Sequence, residues 1–293
     1  ATWIHVWDNE KGEFAMAQGV ATAGPTQTDH FHRESRKQAG HKDTFLVVCE
    51  QFDDKVTIWK FHSPQKATKA TGMVDFRKVQ TLPSPGSSSV AIGESGDSIF
   101  LVAASYYNGA AGGFATETPV YRMDAGKDKF EEVQELAANG PHDAETAWYN
   151  GRLLLFLSED RNPETTRISS QVFELNPKSK LFEVKQKIPT DGAYGSELFE
   201  AQGRLWLCVA NFGDRANDRY MAESSLWVFD DIADSFKKVH EFTTYGATDI
   251  EHFLFEGRDI VAVSMEGDLK NKKLQKSYVF ELKADCGSKK SEL

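Results

Sequence analysis

The chain has 293 residues, 40% hydrophobic and 27% charged, with a net charge of −10. That length and apolar content suffice for a sizeable core in one domain. The acidic balance argues against nucleic acid and anionic membrane, which both want basic patches, and no apolar run approaches the roughly 18 residues of a bilayer span. In chain order, Thr2–Trp7 alternates like a strand, and Asp8–Glu13 turns it into a second strand at Phe14. From Phe14 onward a unit of strand, glycine turn, strand, tight turn, apolar run and aromatic alternating run recurs.

The opening residues of the units are Phe14, Phe76, Phe130, Phe182 and Phe236, spaced by 62, 54, 52 and 54. The turn glycines are Gly24, Gly86, Gly140, Gly192 and Gly246, each 10 residues after its Phe. A fixed period with insertions marks a repeat architecture. Within a unit the four strands are a (the Phe run), b (after the glycine), c and d. Strand c is a near-continuous apolar run: Phe45–Cys49, Ile99–Ala104, Leu153–Leu157, Leu205–Ala210 and Ile260–Val263. Such runs suit strands buried on both faces. Four-stranded sheets in series build a β-propeller. The expected fold is all-β: a propeller of five blades, each with four antiparallel strands, occupying residues 1–283, with a tail at 284–293. Strand d leads into the next a by a short turn, so b is innermost, followed by c, d and the next a. The N-terminal hairpin is expected to close the ring by completing the last blade, which leaves Thr2–Trp7 surplus to Tyr278–Leu282; a degenerate sixth blade is the other reading.

Cys49 and Cys208 lie in c runs and read as small hydrophobes; no Cys/His spacing suits zinc. The polar insertions His32–Lys42 and Gln65–Val74 read as surface loops. The chain starts without Met and ends Lys290-Ser-Glu-Leu293, like an endoplasmic-reticulum retrieval tail. The expectation is a secretory-pathway protein, luminal or extracellular.

In a meander the a–b and c–d loops share one end of the disc. The c–d loops are long and carry Tyr106, Tyr107, Arg161, Arg215, Arg219 and Tyr220, residue types favoured at recognition surfaces. These are the candidate contacts for a protein or glycan ligand, the alternative being plain solvated loops.

Aligned on the glycine, the position five residues on holds Asp29, Ala91, Glu145, Glu197 and Glu251, and the position three residues on holds Gln27, Ser89, Asp143, Gly195 and Asp249. Residues two apart on a strand face one way, so the acids form a cluster near the central channel. Asp29, Asp143, Glu145, Glu197, Asp249 and Glu251 are candidate ligands for Ca²⁺, which takes oxygen donors in loose geometry. Two alternatives stand beside this. The acids accept hydrogen bonds in the turns, or Asp143, Glu145, Glu197, Asp249 and Glu251 with His142 form a hydrolytic, glycosidase-like centre. His30 and His252, one residue after an acid, point away from it and read as blade-packing residues. No phosphate-binding glycine loop or nucleophile motif occurs, so no organic cofactor is expected.

The series Phe182-Glu-Val-Lys-Gln-Lys-Ile-Pro-Thr-Asp-Gly-Ala, Leu205-Trp-Leu-Cys-Val-Ala-Asn211 and Thr244-Tyr-Gly-Ala-Thr-Asp-Ile-Glu-His-Phe253 resembles the epilepsy-associated repeat (EAR, or EPTP) family over nearly the whole chain. The resemblance implies a β-propeller, secreted or on an ectodomain, that acts in protein recognition and in some members holds calcium in its channel. Asp143 and Asp249 match the family's Asp position, and Glu145, Glu197 and Glu251 its Glu. Family propellers generally have seven shorter units; here there are five longer ones, and the unit from Phe76 lacks the acids.

Overall fold

The structure is a computed structural model, and it describes residues 1–34, 42–62, 74–108, 113–124, 126–127, 129–267 and 276–283. Most of the two polar insertions, Cys286 and the retrieval-like tail lie outside the described residues. The fold is all-β, with five blades in a propeller arrangement. Blade 1 is β3 (Pro25–Glu34), β4 (Lys42–Glu50), β5 (Lys55–Phe61) and β6 (Phe76–Pro83). Blade 2 is β7 (Ser87–Ser95), β8 (Ser98–Ser105), β9 (Ala115–Met123) and β10 (Glu131–Asn139). Blade 3 is β11 (Pro141–Tyr149), β12 (Arg152–Glu159), β13 (Arg167–Leu175) and β14 (Phe182–Asp191). Blade 4 is β15 (Ala193–Ala201), β16 (Arg204–Asn211), β17 (Met221–Asp230) and β18 (Ser235–Tyr245). Among the described residues blade 5 has three strands, β19 (Ala247–Phe255), β20 (Arg258–Met265) and β21 (Tyr278–Glu281). In each blade the strand after the turn glycine is innermost, and in blades 1–4 the next unit's Phe strand is outermost, as the repeat implied.

The N-terminal hairpin departs from expectation. The strands β1 (Thr2–Asp8) and β2 (Glu13–Val20) form a two-stranded sheet of their own and do not join blade 5. The reason is packing. Val20 and Ile4 seat against Val48, Trp59, Leu46 and Phe76 of blade 1. The hairpin therefore lies where a preceding blade would lie and supplies only its outer half.

Four cores hold the blades to one another: Phe31, Phe45, Tyr121 and Phe130 between blades 1 and 2; Phe100, Leu155, Phe173 and Phe182 between 2 and 3; Phe156, Leu207, Trp227 and Phe236 between 3 and 4; Phe199, Trp206, Ile250 and Val263 between 4 and 5. Cys49 and Cys208 are buried among these residues, and burial pushes the Cys49 thiol up to about 12, which makes both inert hydrophobes.

A polar clasp recurs at the rim. The fourth residue after the opening Phe is Gln18, Gln80, Gln134 and Gln186 in the first four units. Each amide accepts from the backbone N–H of the next unit's Phe and donates to its carbonyl: Gln18 with Phe76, Gln80 with Phe130, Gln134 with Phe182 and Gln186 with Phe236, all at 2.7–2.9 Å. A bulge one residue before the Gln, or before His240 in the fifth unit, interrupts each of these outer pairings at the same place, β1–β2 included. In the fifth unit the clasp position is His240.

The turn glycines have a physical reason. Gly86, Gly140, Gly192 and Gly246 have φ between +54° and +66°. A carbonyl 21 residues later, that of Tyr107, Arg161, Gly213 or Gly267, lies 2.2–3.2 Å from where a Cβ would stand. Only glycine meets both demands without strain. The root of each of these c–d loops is thus packed onto the start of strand b, which brings the loops to the channel mouth.

Candidate functional site at the channel and its mouth

The inner strands bring the six predicted carboxylates around one channel. Asp143 is the most constrained. Its Oδ1 accepts from Ser89 Oγ of blade 2 at 2.8 Å, and its Oδ2 accepts from Ser196 N and Oγ of blade 4 at 2.9 and 2.8 Å. Burial pushes it up to about 6 even so. It joins three successive inner strands. Gly195 replaces an acid at this height in blade 4 because a Cβ there would stand 2.8 Å from the Asp249 Cα and the Thr248 carbonyl. Asp29 and Asp249 each accept from the next residue's N–H, at 2.6 and 3.0 Å, and burial raises both.

The three glutamates differ from the aspartates. Burial raises Glu145 well above its ordinary value, and the charges of Asp143, Glu197, Asp29 and Glu251 add to it. Burial, then Glu251, Asp143 and Asp249, pushes Glu197 up to about 8. Glu251 is raised by burial and by Asp249. Like charges around a low-dielectric channel cannot all ionise without a cation. Among the described residues, no group of three or more His, Cys, Asp or Glu side chains converges as a metal cluster. With both Asp143 oxygens already engaged, the remaining channel carboxylates are the three glutamates and Asp29 and Asp249, each aspartate using Oδ1 on the next residue's N–H.

At the channel mouth the a–b and c–d loops carry a belt of rings that runs across blades 2 to 4. Tyr106 meets Phe114 and His142 edge-on at 5.5 and 5.3 Å. His142 stacks on Tyr194 at 3.4 Å, and Tyr194 leans on Phe212 at 5.0 Å. His142 Nδ1–H donates to the Tyr194 carbonyl at 3.0 Å, and burial pushes the imidazole down to about 4, so it is neutral at physiological pH. Tyr106 Oη donates to Asp160 Oδ2 at 3.0 Å, and burial pushes that acid up to about 6. Arg161 lies over Phe114 and Arg215 over Phe212, at 5.0 and 4.7 Å.

The predicted ligand contacts therefore separate. Tyr106, Tyr107, Arg161 and Arg215 lie on the mouth, with Arg215 also paired to Glu266. Arg219 is held by both Asp191 oxygens at 2.6 Å and by Thr166. Tyr220 is buried against Phe212. Sequence reasoning did not single out Phe114, Tyr194 and Phe212. The available signal was His142 and Tyr194 at the same offset from their glycines, both ring-bearing. Of the paired histidines, His252 stacks on Phe199 at 4.1 Å and bonds Asp259, as a blade-packing residue should. His30 is exposed: among the described residues the sheet packed on blade 1 from the preceding side is the two-stranded β1–β2 hairpin.

Fold and site together define a repeat propeller with an acidic channel and an aromatic mouth. No family model matches the chain. Among curated proteins it is similar to the thrombospondin-type laminin G domain and EAR repeat-containing protein of Mus musculus, 30% identical over 133 residues, which is 45% of this chain and 20% of that protein. The Homo sapiens protein of the same name is 31% identical over 116 residues, 40% of this chain and 17% of that protein. The matches thus span about a fifth of the curated relatives' length. The similarity to EAR-repeat proteins read from the motifs is borne out by them. Among solved structures, YjhT aligns with TM-score 0.48 and 8% identity over 75% of this chain and 70% of that one. A chain of a nidogen/laminin complex aligns with TM-score 0.42 and 7% identity over 71% and 70%. An exo-β-1,3-galactanase from Phanerochaete chrysosporium aligns with TM-score 0.41 and 10% identity over 61% and 43%.

Proposed function

We propose that the chain is a recognition propeller of the secretory pathway or extracellular space that binds a protein through its channel mouth, with glycan as the second ligand class. The observation that carries this reading is the belt Tyr106–Phe114–His142–Tyr194, seated on the buried Phe212, with Arg161 and Arg215 laid over the Phe114 and Phe212 rings. Pre-ordered aromatic and guanidinium surface loses little entropy on binding and is the usual material of interface hot spots. The names of the curated relatives, which contain thrombospondin-type, laminin G and EAR elements, favour an extracellular setting.

Calcium is the proposed channel ion. Glu145, Glu197, Glu251, Asp29 and Asp249 are its candidate ligands, and they would have to draw together around it, since no three of them converge as a cluster in this structure. Their raised pKa values support this, since a bound cation would remove the cost of ionising them together. Its role is to fix the inner strands and so the loop roots at the mouth.

The test is binding of the purified chain to arrays of extracellular proteins and of glycans. A Tyr107→Ala/Arg161→Ala double variant should lose at least about tenfold in affinity, the loss of roughly 1.4 kcal/mol expected for trimming such contacts. Ile232→Ser, on the opposite end and fully exposed, should leave binding unchanged. Binding that survives the double variant, or that falls with Ile232→Ser, refutes the mouth as the site. Turnover of an arrayed glycan would replace this reading with a hydrolytic one.

A further inference from the structure

Among the described residues blade 5 has no outer strand, and a groove lies at that place. A cavity of about 610 Å³ opens between the outer parts of blades 4 and 5, walled by Trp206, Cys208, Leu226, Phe242, Val261 and Phe280. The repeat says what fills this place elsewhere. Between blades 2 and 3 it is the opening residue Phe182, edge-on to Phe100 at 5.7 Å. Between blades 3 and 4 it is Phe236, packed with Leu154. By strand register, Phe100 and Leu154 correspond to Trp206. So the groove beside Trp206, which is 5% exposed and carries Arg204 over its ring at 5.7 Å, is where the repeat would place an opening Phe.

Among the described residues the opening Phe14 is largely exposed. Phe130, Phe182 and Phe236 are 3–4% exposed, whereas Phe14 is 69% exposed. Phe14 meets Trp7 edge-on at 5.1 Å, and Trp3, Trp7 and Met16 share the exposed face with it. A contiguous aromatic face of this kind on a water-soluble surface marks an interaction site. The hairpin's other face is already spent on blade 1. Charge agrees as well. The turn before Phe14 is acidic, with Asp8, Glu10 and Glu13 against Lys11. The groove is bordered by Arg204 and by Lys283, the latter paired with Glu281 at 3.3 Å.

We propose that the groove between blades 4 and 5 receives the β1–β2 hairpin of a second copy of this chain, with Phe14 seated beside Trp206 and the acidic turn near Arg204 and Lys283. Each chain carries one donor face and one acceptor groove, so a two-fold dimer satisfies both at once, the closed arrangement most homo-oligomers adopt. The dimer leaves the four packed blade–blade cores as they are.

The experiment is gel filtration with light scattering on the full chain, up to about 100 μM, well above the Kd of a modest specific interface. Wild type should dimerise. Phe14→Ser on the donor and Val239→Glu on the groove wall should each raise the dimer Kd at least about tenfold. Both side chains are exposed in the single chain (69% and 51%), so both variants should fold and melt like wild type at high dilution. Glu13→Lys should weaken the dimer, and adding Arg204→Glu to it should restore it. A wild type that stays monomeric throughout overturns the proposal. So does a dimer indifferent to either Phe14→Ser or Val239→Glu, because donor and groove must both matter.

Discussion

Replacing Glu197 with Gln separates the cost of channel charge from every other contribution to stability. Glu197 is held at about 8 against an ordinary 4.5. A carboxyl raised on folding contributes stability that is fully present below about 4.5 and is lost as pH rises through about 8. The shift corresponds to on the order of 3–5 kcal/mol, or about 5–15 °C in melting midpoint for a domain of this size. In EDTA, wild type should therefore melt progressively lower between pH 5 and 9. Glu197→Gln keeps the shape and cannot ionise. It should match wild type near pH 5, melt higher near pH 9, and show a shallower slope. Some slope remains, because Glu145 is raised as well. Calcium should lift the wild-type midpoint at pH 9, and the variant's response should be smaller. Differential scanning fluorimetry in a buffer series reads all of this. A variant that melts at or below wild type at pH 9 in EDTA would refute the reasoning, since the ionised carboxylate would then be stabilised by something other than an exchangeable ion.

Two further outcomes test the scaffold. Gln134→Ala strands the N–H and carbonyl of Phe182 and should cost about 2–4 kcal/mol in urea unfolding, whereas His240→Ala, where the clasp series stops, should cost under about 0.5 kcal/mol. Gly192→Ala places a Cβ 2.2 Å from the Gly213 carbonyl, while Gly151→Ala meets nothing within 4 Å, and both glycines have positive φ. The first should therefore be the more destabilising by about 1–3 kcal/mol in the same assay, and equal losses would remove the proposed reason for the turn glycine.

The blades were legible because the repeat states its own period. The Phe–Gly offset set register, the apolar c runs marked the central strands, and the short d–a turns fixed which strands share a blade. The carboxylates could be placed on one channel for the same reason, since a strand's two-residue period leaves little freedom. Fewer of the partnerships were legible. Asp143 resembles the other acids in sequence, and only the neighbouring blades bring Ser89 and Ser196 onto it. Arg219 and Tyr220 share a loop with Arg215, yet the chain turns them inward onto Asp191 and Phe212. The hairpin was misplaced because β1–β2 has the pattern of any outer pair, and its choice of blade 1 rests on Val20 and Ile4 meeting Val48 and Trp59, contacts that no local pattern encodes.

The carbonyl packed on each turn glycine also bears on how such a chain can change. Because the loop is pinned at its root, 21 residues past the glycine in four of the units, extra residues placed beyond that point lengthen the tip without disturbing blade register. The first unit already shows the other case. There Gly24 is covered by the Phe52 ring and the equivalent backbone bond comes from Gln51, 27 residues along. Added length between b and c thus leaves that backbone bond in place, while the Phe52 ring stands over the glycine where the other units set a carbonyl. New binding sequences are therefore best grafted at the c–d tips of blades 2 to 4, where the scaffold holds both ends of the insertion in place.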